Sequence, residues 1–230
     1  VDKNPLLIGE ADGQSRAFAV LKVATTTEQK IFFGTVPEYG KLGGALVIYN
    51  EQTKAFNVHE QPVAQQSVVS LVQHNNVVIG GTTISGGLGI KPSTKEAVLF
   101  GWDIAGNQKT FELVPVPGAA AITCLMKGPD NYIWGVADGT LFIFDAEKKS
   151  VISTHKLYDY PPFNSHIWRS ASMVIHPSGM IYGTGINNLF QIDPKTMQVT
   201  ILNNNASLLA MDKEGNLYFR RLTELWKYKP

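Results

Sequence analysis

LFIFDAEKKSVIST, from Leu141 to Thr154, is a short apolar strand that ends on an aromatic residue and Asp145, turns, and begins a second strand. The same phrase occurs as LVIYNEQTKAFNV from Leu46, VLFGWDIAGNQKTFEL from Val98 and LFQIDPKTMQVTIL from Leu189, and a degenerate copy, ELWKYKP from Glu224, closes the chain. A β-rich segment precedes each copy: KIFFGT, NVVIGGT, YIWGVADG and MIYGTG, in which the strand runs into glycine, and finally NLYFRR. Self-similarity at a period of about 40 to 50 residues, with around four short strands per unit, predicts an all-β chain folded as a β-propeller of four-stranded antiparallel blades.

Each unit divides into strands a to d, counted outwards from the propeller axis. Inner strands begin near Arg16, Ser67, Ala120, Ser170 and Ala206 and carry small, apolar residues, as convergence on an axis requires. The following runs, such as VVIGG and YIWGV, have the continuous apolarity of strands buried on both faces. The expected blades are approximately 16–60, 67–115, 120–157, 170–203 and 206–230, the last completed by residues 5–10. NPLLIGE would then pair with ELWKYKP and close a five-bladed ring, which removes an exposed edge. The alternative is a share of a larger six- to eight-bladed propeller. Asn50, Asp103, Asp145 and Asp193 stand at one repeated position after strand c. They read as turn-pinning acceptors of backbone N–H groups and not as a ring of catalytic or metal-binding carboxylates.

The 230 residues, 44% of them hydrophobic and with a net charge of +1, suffice for one domain over residues 1–230 with a substantial core. A neutral balance argues against a nucleic-acid partner. No apolar run reaches the length of a membrane span. Val1 in place of Met fits a segment of a longer parent chain with other domains, and secretion to the cell surface or outside is the expected location. The single cysteine, Cys124, lies in the apolar run AAITCLM and reads as a buried, inert thiol. No Cys and His spacing predicts a metal, and no cofactor motif stands out: SGGLGIKP lacks the Lys-Ser/Thr ending of a phosphate loop, so its glycines serve tight loop geometry.

Three insertions break the repeat: Val36 to Gly44, Thr82 to Glu96 and Leu157 to Arg169. The first two join strands b and c and the third joins d to the next a, so all three should emerge on one face of the scaffold, where binding groups are commonly mounted. The expected ligand-binding set there is Tyr39, Lys41, Gln65, Gln66, Ser85, Lys91, Tyr160, His166, Trp168 and Arg169. Aromatic faces beside amide, hydroxyl and cationic donors suit a saccharide or another polar ligand, including a protein surface. His166, Tyr160 and Arg169 are also the catalytic candidates, because proton abstraction and carboxylate neutralisation are the needs of β-elimination from a uronic sugar.

Units such as GPDNYIWGVADGTLFIFDAEKKSV and HPSGMIYGTGINNLFQIDPKTMQV resemble the propeller superfamily of YVTN, NHL and gluconolactonase-like repeats, while the dipeptides of WD40 repeats are missing. The inner strands lack the unique acidic and amide set with which gluconolactonase-like propellers hold a divalent ion. The resemblance implies a module of a secreted, carbohydrate-acting or surface protein of bacteria. The leading expectation is a noncatalytic ligand- or partner-binding module with a saccharide or protein target. The alternative is a polysaccharide (uronide) lyase, since some propeller lyases use His, Tyr and Arg.

Overall fold

The computed structural model describes residues 5–26, 28–160 and 171–230. Within them, nineteen strands form five antiparallel sheets, and there is no helix. The first sheet runs β1 (Gln14–Ala24), β2 (Gln29–Pro37), β3 (Ala45–Asn50) and β4 (Phe56–Glu60), and the second β5 (Ser67–His74), β6 (Val77–Thr83), β7 (Leu99–Asp103) and β8 (Gln108–Leu113). The third comprises β9 (Ile122–Lys127), β10 (Ile133–Ala137), β11 (Thr140–Asp145) and β12 (Ser150–Lys156), and the fourth β13 (Ser172–Ile175), β14 (Ile181–Gly185), β15 (Asn188–Ile192) and β16 (Val199–Asn204). The fifth has three strands, β17 (Ser207–Met211), β18 (Leu217–Arg221) and β19 (Glu224–Tyr228). Strand order follows chain order in every sheet, and the first strands of successive sheets touch one another from β1 to β17.

The middle strands of the second, third and fourth sheets are buried on both faces because each of these sheets lies between two others. In β10 all five residues are buried, with Trp134 and Val136 facing the fourth sheet and Ile133 and Ala137 facing the second. Apolar clusters fill each interface: Phe32, Leu46, Phe100 and Trp102 between sheets one and two, Ile79, Phe142 and Phe144 between two and three, Trp134, Met173 and Phe190 between three and four, and Leu189 and Phe219 between four and five.

The strand-ending glycines have a shared reason. Gly80 pairs with Phe100, Gly135 with Phe142 and Gly183 with Phe190 across neighbouring strands, and in each pair the ring lies where a Cβ on the glycine would stand. In the first sheet Gly34 pairs with Leu46, and a Cβ there would come within 2.5 Å of Val68 Cγ1 in the adjoining sheet. The turn acceptors also fall into place: Asn50, Asp145 and Asp193 each take backbone N–H groups two or three residues on at 2.9–3.0 Å, and Asp103 takes that of Gly106 at 2.6 Å. The Lys148 amide leads in holding the Asp145 carboxyl below its ordinary range, and the Lys195 amide does the same for Asp193.

One expectation is overturned. Residues 5–10 form no strand and do not complete the fifth sheet, which stops at three strands. Gly9 lies instead over the Phe56 ring of β4, where an added Cβ would meet ring carbons at 2.7–2.9 Å, and the chain turns at Ala11 to enter β1. This contact holds the segment to the first sheet and leaves the outer faces of both terminal sheets uncovered. Val20 on β1 is 72% exposed and Leu208 on β17 is 63% exposed.

Candidate functional site

The loops leaving β2 and β6 are bound together at one end of the first two sheets. Gly87 donates its N–H to the Lys41 carbonyl at 2.9 Å, and Gly40 donates to the Leu88 carbonyl at 2.8 Å. Backbones approach this closely only without side chains between them: a Cβ on Gly87 would stand 2.5 Å from the Glu38 carbonyl carbon, and one on Gly86 at 2.5 Å from the Lys41 oxygen. The glycines of SGGLGIKP thus serve close approach at Gly86 and Gly87, with left-handed backbone at Gly89, over which the Tyr39 ring lies.

The loop between β4 and β5 joins the same platform. Gly44 donates to the Gln66 carbonyl at 3.0 Å, and the buried Gln66 side chain donates to the Glu96 carbonyl at 2.9 Å while its own oxygen accepts from Thr82. Gln65 accepts from Ser93. Of the residues expected to bind ligand, Tyr39, Lys41, Gln65 and Lys91 are exposed on this platform, with Lys41 paired to Glu38 at 2.9 Å, whereas Gln66 and Ser85 are buried in it. Tyr160 packs against the cluster between the third and fourth sheets. His166, Trp168 and Arg169 lie outside the described residues, so the His166, Tyr160 and Arg169 set has no geometry here.

Beside the platform, two polar atoms are buried without a hydrogen-bond partner: Ser85 Oγ and Asp138 Oδ1. Asp138 and the residues just before Ser85 both hydrogen-bond Ala120. Its N–H donates to Asp138 Oδ2 at 2.5 Å, and its carbonyl accepts from the Ile84 N–H at 3.0 Å and from Thr83 Oγ1 at 3.2 Å. Ser85 is further held by its own carbonyl, which accepts from Ser67 Oγ at 2.8 Å. Buried polar atoms are nearly always satisfied, so the orphan hydroxyl and the orphan carboxylate oxygen each mark a place suited to an added ligand or water.

Asp138 was missed in the sequence, although one signal was there: VADG places an aspartate after strand b, where no other unit has one. Burial pushes its carboxyl above the ordinary aspartate range, against the lowering by the Ala120 and Ala121 amides. A raised folded pKa means that the charged form costs stability. The cost is absent below the unfolded pKa, grows as pH rises towards the folded value, and is complete above it. Asp138→Asn, which keeps a carbonyl acceptor, is therefore expected to raise the melting midpoint at pH 7 and to leave it unchanged in acid below the ordinary aspartate range. Thermal melts of both proteins across pH check the sign.

Cys124 packs against the third and fourth sheets, and desolvation pushes its thiol up to about 12, so it stays protonated. Among the described residues, no helix is long and apolar enough to cross a membrane.

No protein-family model and no curated protein matches the chain. Solved structures of the extracellular domain of BT4673 from B. thetaiotaomicron, named a hybrid two component system in one and a one component system in another, are similar in fold. Both superpose with a TM-score of 0.64, at 14% and 15% identity, over 99% of this chain. The chain spans 28% of the length of each of those neighbours.

Proposed function

We propose that this chain is a noncatalytic, extracellular ligand-binding module of a larger bacterial protein, that its five sheets are consecutive blades of a β-propeller, and that its target is a saccharide or protein surface held at the loop platform. The observation that carries the reading is the joining of the β2 and β6 loops with Tyr39, Lys41 and Lys91 exposed on them, together with two buried, unpartnered polar atoms, Ser85 Oγ in the β6 loop and Asp138 Oδ1. Fixed polar groups at the base of a site and aromatic or cationic groups at its rim are the usual division of labour between specificity and contact area. The extracellular placement draws on the BT4673 domains, whose fold it shares.

Native gels cast with neutral or uronic polysaccharides, or pull-down against surface proteins, test it. Retardation or capture by one target, weakened about 5- to 100-fold in Asp138→Ala as expected for loss of a buried hydrogen-bonding group, supports the proposal. Unsaturated uronide product released from a polymer overturns the noncatalytic assignment.

The same propeller reading favours a ring of more than five blades, in agreement with the larger alternative, because the outer faces of the first and fifth sheets are uncovered. Substituting Val20 and Leu208 together by lysine is expected to change stability by no more than about 0.5 kcal/mol per site and to reduce self-association of the 230-residue chain. Light scattering after size exclusion reads the second effect, and an unchanged mass distribution in a self-associating sample would remove these faces from the explanation.

A further inference from the structure

At the far end of the strands from the loop platform lies a second recess that the proposed function does not use. β5 begins at Ser67, beside Ser85, and ends at His74. There, between the second and third sheets, a cleft of about 340 Å³ is formed by the β5–β6 turn, the face of β8 and the β11–β12 turn. Ile79 and Phe111 make its apolar wall, and Asn75, Asn76, Glu147 and Lys149 its polar rim.

His74 gives the cleft its chemistry. Only 7% exposed, it places Nε2 at 3.3 Å from Glu147 Oε1, and the Asn75 side chain donates to the same oxygen at 3.0 Å. A carboxylate only accepts, so Nε2 carries the proton in this contact, and in the neutral ring Nδ1 is left as an acceptor. That Nδ1 is buried with no partner. The β11–β12 turn is braced by Asp145, which takes the N–H groups of Glu147 and Lys148 at 3.0 and 2.9 Å, so the rim is presented by a fixed turn. Phe111 is steadied by the Phe144 ring, 5.6 Å between centroids, with Lys149 Nζ 5.9 Å from its own centroid.

The geometry points to a second binding site, for one neutral polyhydroxylated ring of monosaccharide size. A cleft of this volume stands at the small end of ligand pockets, too small for an extended chain. One carboxylate and one ammonium at the rim offset each other, so a singly charged ligand gains nothing net. The exposed Glu147 carboxylate, backed by the buried His74 ring, calls for donors, which hydroxyls supply. Lys149 and the Asn76 amide offer donors in return, while the half-buried Phe111 suits the C–H face of a ring.

The test is a titration of the isotope-labelled 230-residue chain with glucose, galactose, mannose and N-acetylglucosamine, read by amide chemical shifts. For a ligand this small, Kd on the order of 1 mM is expected. Saturating shifts centred on Asn75, Asn76, Phe111 and Lys149, weakened at least about tenfold in Glu147→Ala and in Asn76→Ala with melting midpoints unchanged, support the site. The exposed positions of both residues keep these variants folded. Saturating shifts confined to residues 84–93, or none at all, overturn it while leaving the loop-platform reading intact. Tighter saturation by a zwitterionic amino acid than by any sugar overturns the ligand class.

Discussion

Phe142→Ala is expected to destabilise the protein by about 3–5 kcal/mol, a large part of the total stability of a domain this size. The ring is fully buried between the second and third sheets and lies across Gly135 of the neighbouring strand. Its removal leaves a void bounded by strands already fixed in their ladders, which have little freedom to collapse into it. Gly135→Ala attacks the same contact from the other side. The new methyl would enter the Phe142 ring and stand 2.9 Å from Leu125 Cδ2, an overpacking expected to cost about 1–3 kcal/mol. Combining the two relieves the clash, so Gly135→Ala should cost less in the Phe142→Ala background, with a coupling of about 0.5–3 kcal/mol. Denaturant unfolding of the four proteins measures it, and equal costs in both backgrounds would show that ring and glycine act independently.

That contact also marks how far the sequence can be read. The recurrence of glycine at the ends of KIFFG, VVIGG and MIYG, and of aromatic or apolar residues before each turn, is visible along the chain and predicts strands of the right type, with one more, at residues 5–10, than the described residues form. What the linear pattern omits is register. Gly80, Gly135 and Gly183 meet Phe100, Phe142 and Phe190 only because antiparallel pairing sets them opposite each other, and that is decided by the turns and by the burial of both faces. The turn acceptors were legible because an Asx turn is local, its donor two or three residues away. The fate of NPLLIGE was not. Apolar composition allowed it to be a strand, but whether it lay on the first sheet or the last depended on the position of Phe56, far away in the chain.

The candidate site divides along the same line. Loop length and residue type placed Tyr39, Lys41, Ser85 and Lys91 on insertions, with Gln65 and Gln66 on the neighbouring β4–β5 loop, and the first two sheets carry them on one platform. Burial inverted the emphasis within that set. Gln66 is consumed by Glu96 and Thr82, while Ser85 keeps a free hydroxyl and Asp138, from another sheet, a free carboxylate oxygen. Asp138 and the Thr83–Ile84 segment meet at Ala120, a three-dimensional relation that spacing does not encode.

Gly87→Ala is expected to separate binding from folding more sharply than any change to a rim residue. The added methyl would press on the backbone of Glu38 and Pro37, the latter oxygen at 3.0 Å, and peptide atoms there have no rotamer by which to yield. The two loops must part, which breaks the Gly87 to Lys41 and Gly40 to Leu88 bonds and releases Tyr39 from its seat on Gly89. Because the loops lie outside the ladders, the stability cost should stay near the overpacking range of about 1–3 kcal/mol, roughly 2–4 °C for each kcal/mol. Affinity depends on several groups held in one arrangement, so its loss should be at least about tenfold to a hundredfold as the rim becomes mobile and must be ordered on binding. The same polysaccharide or protein target that retards or captures the parent protein gives the readout, beside a thermal melt. Undiminished affinity with a lowered melting midpoint would mean that the joined loops brace the fold and that the ligand is met elsewhere.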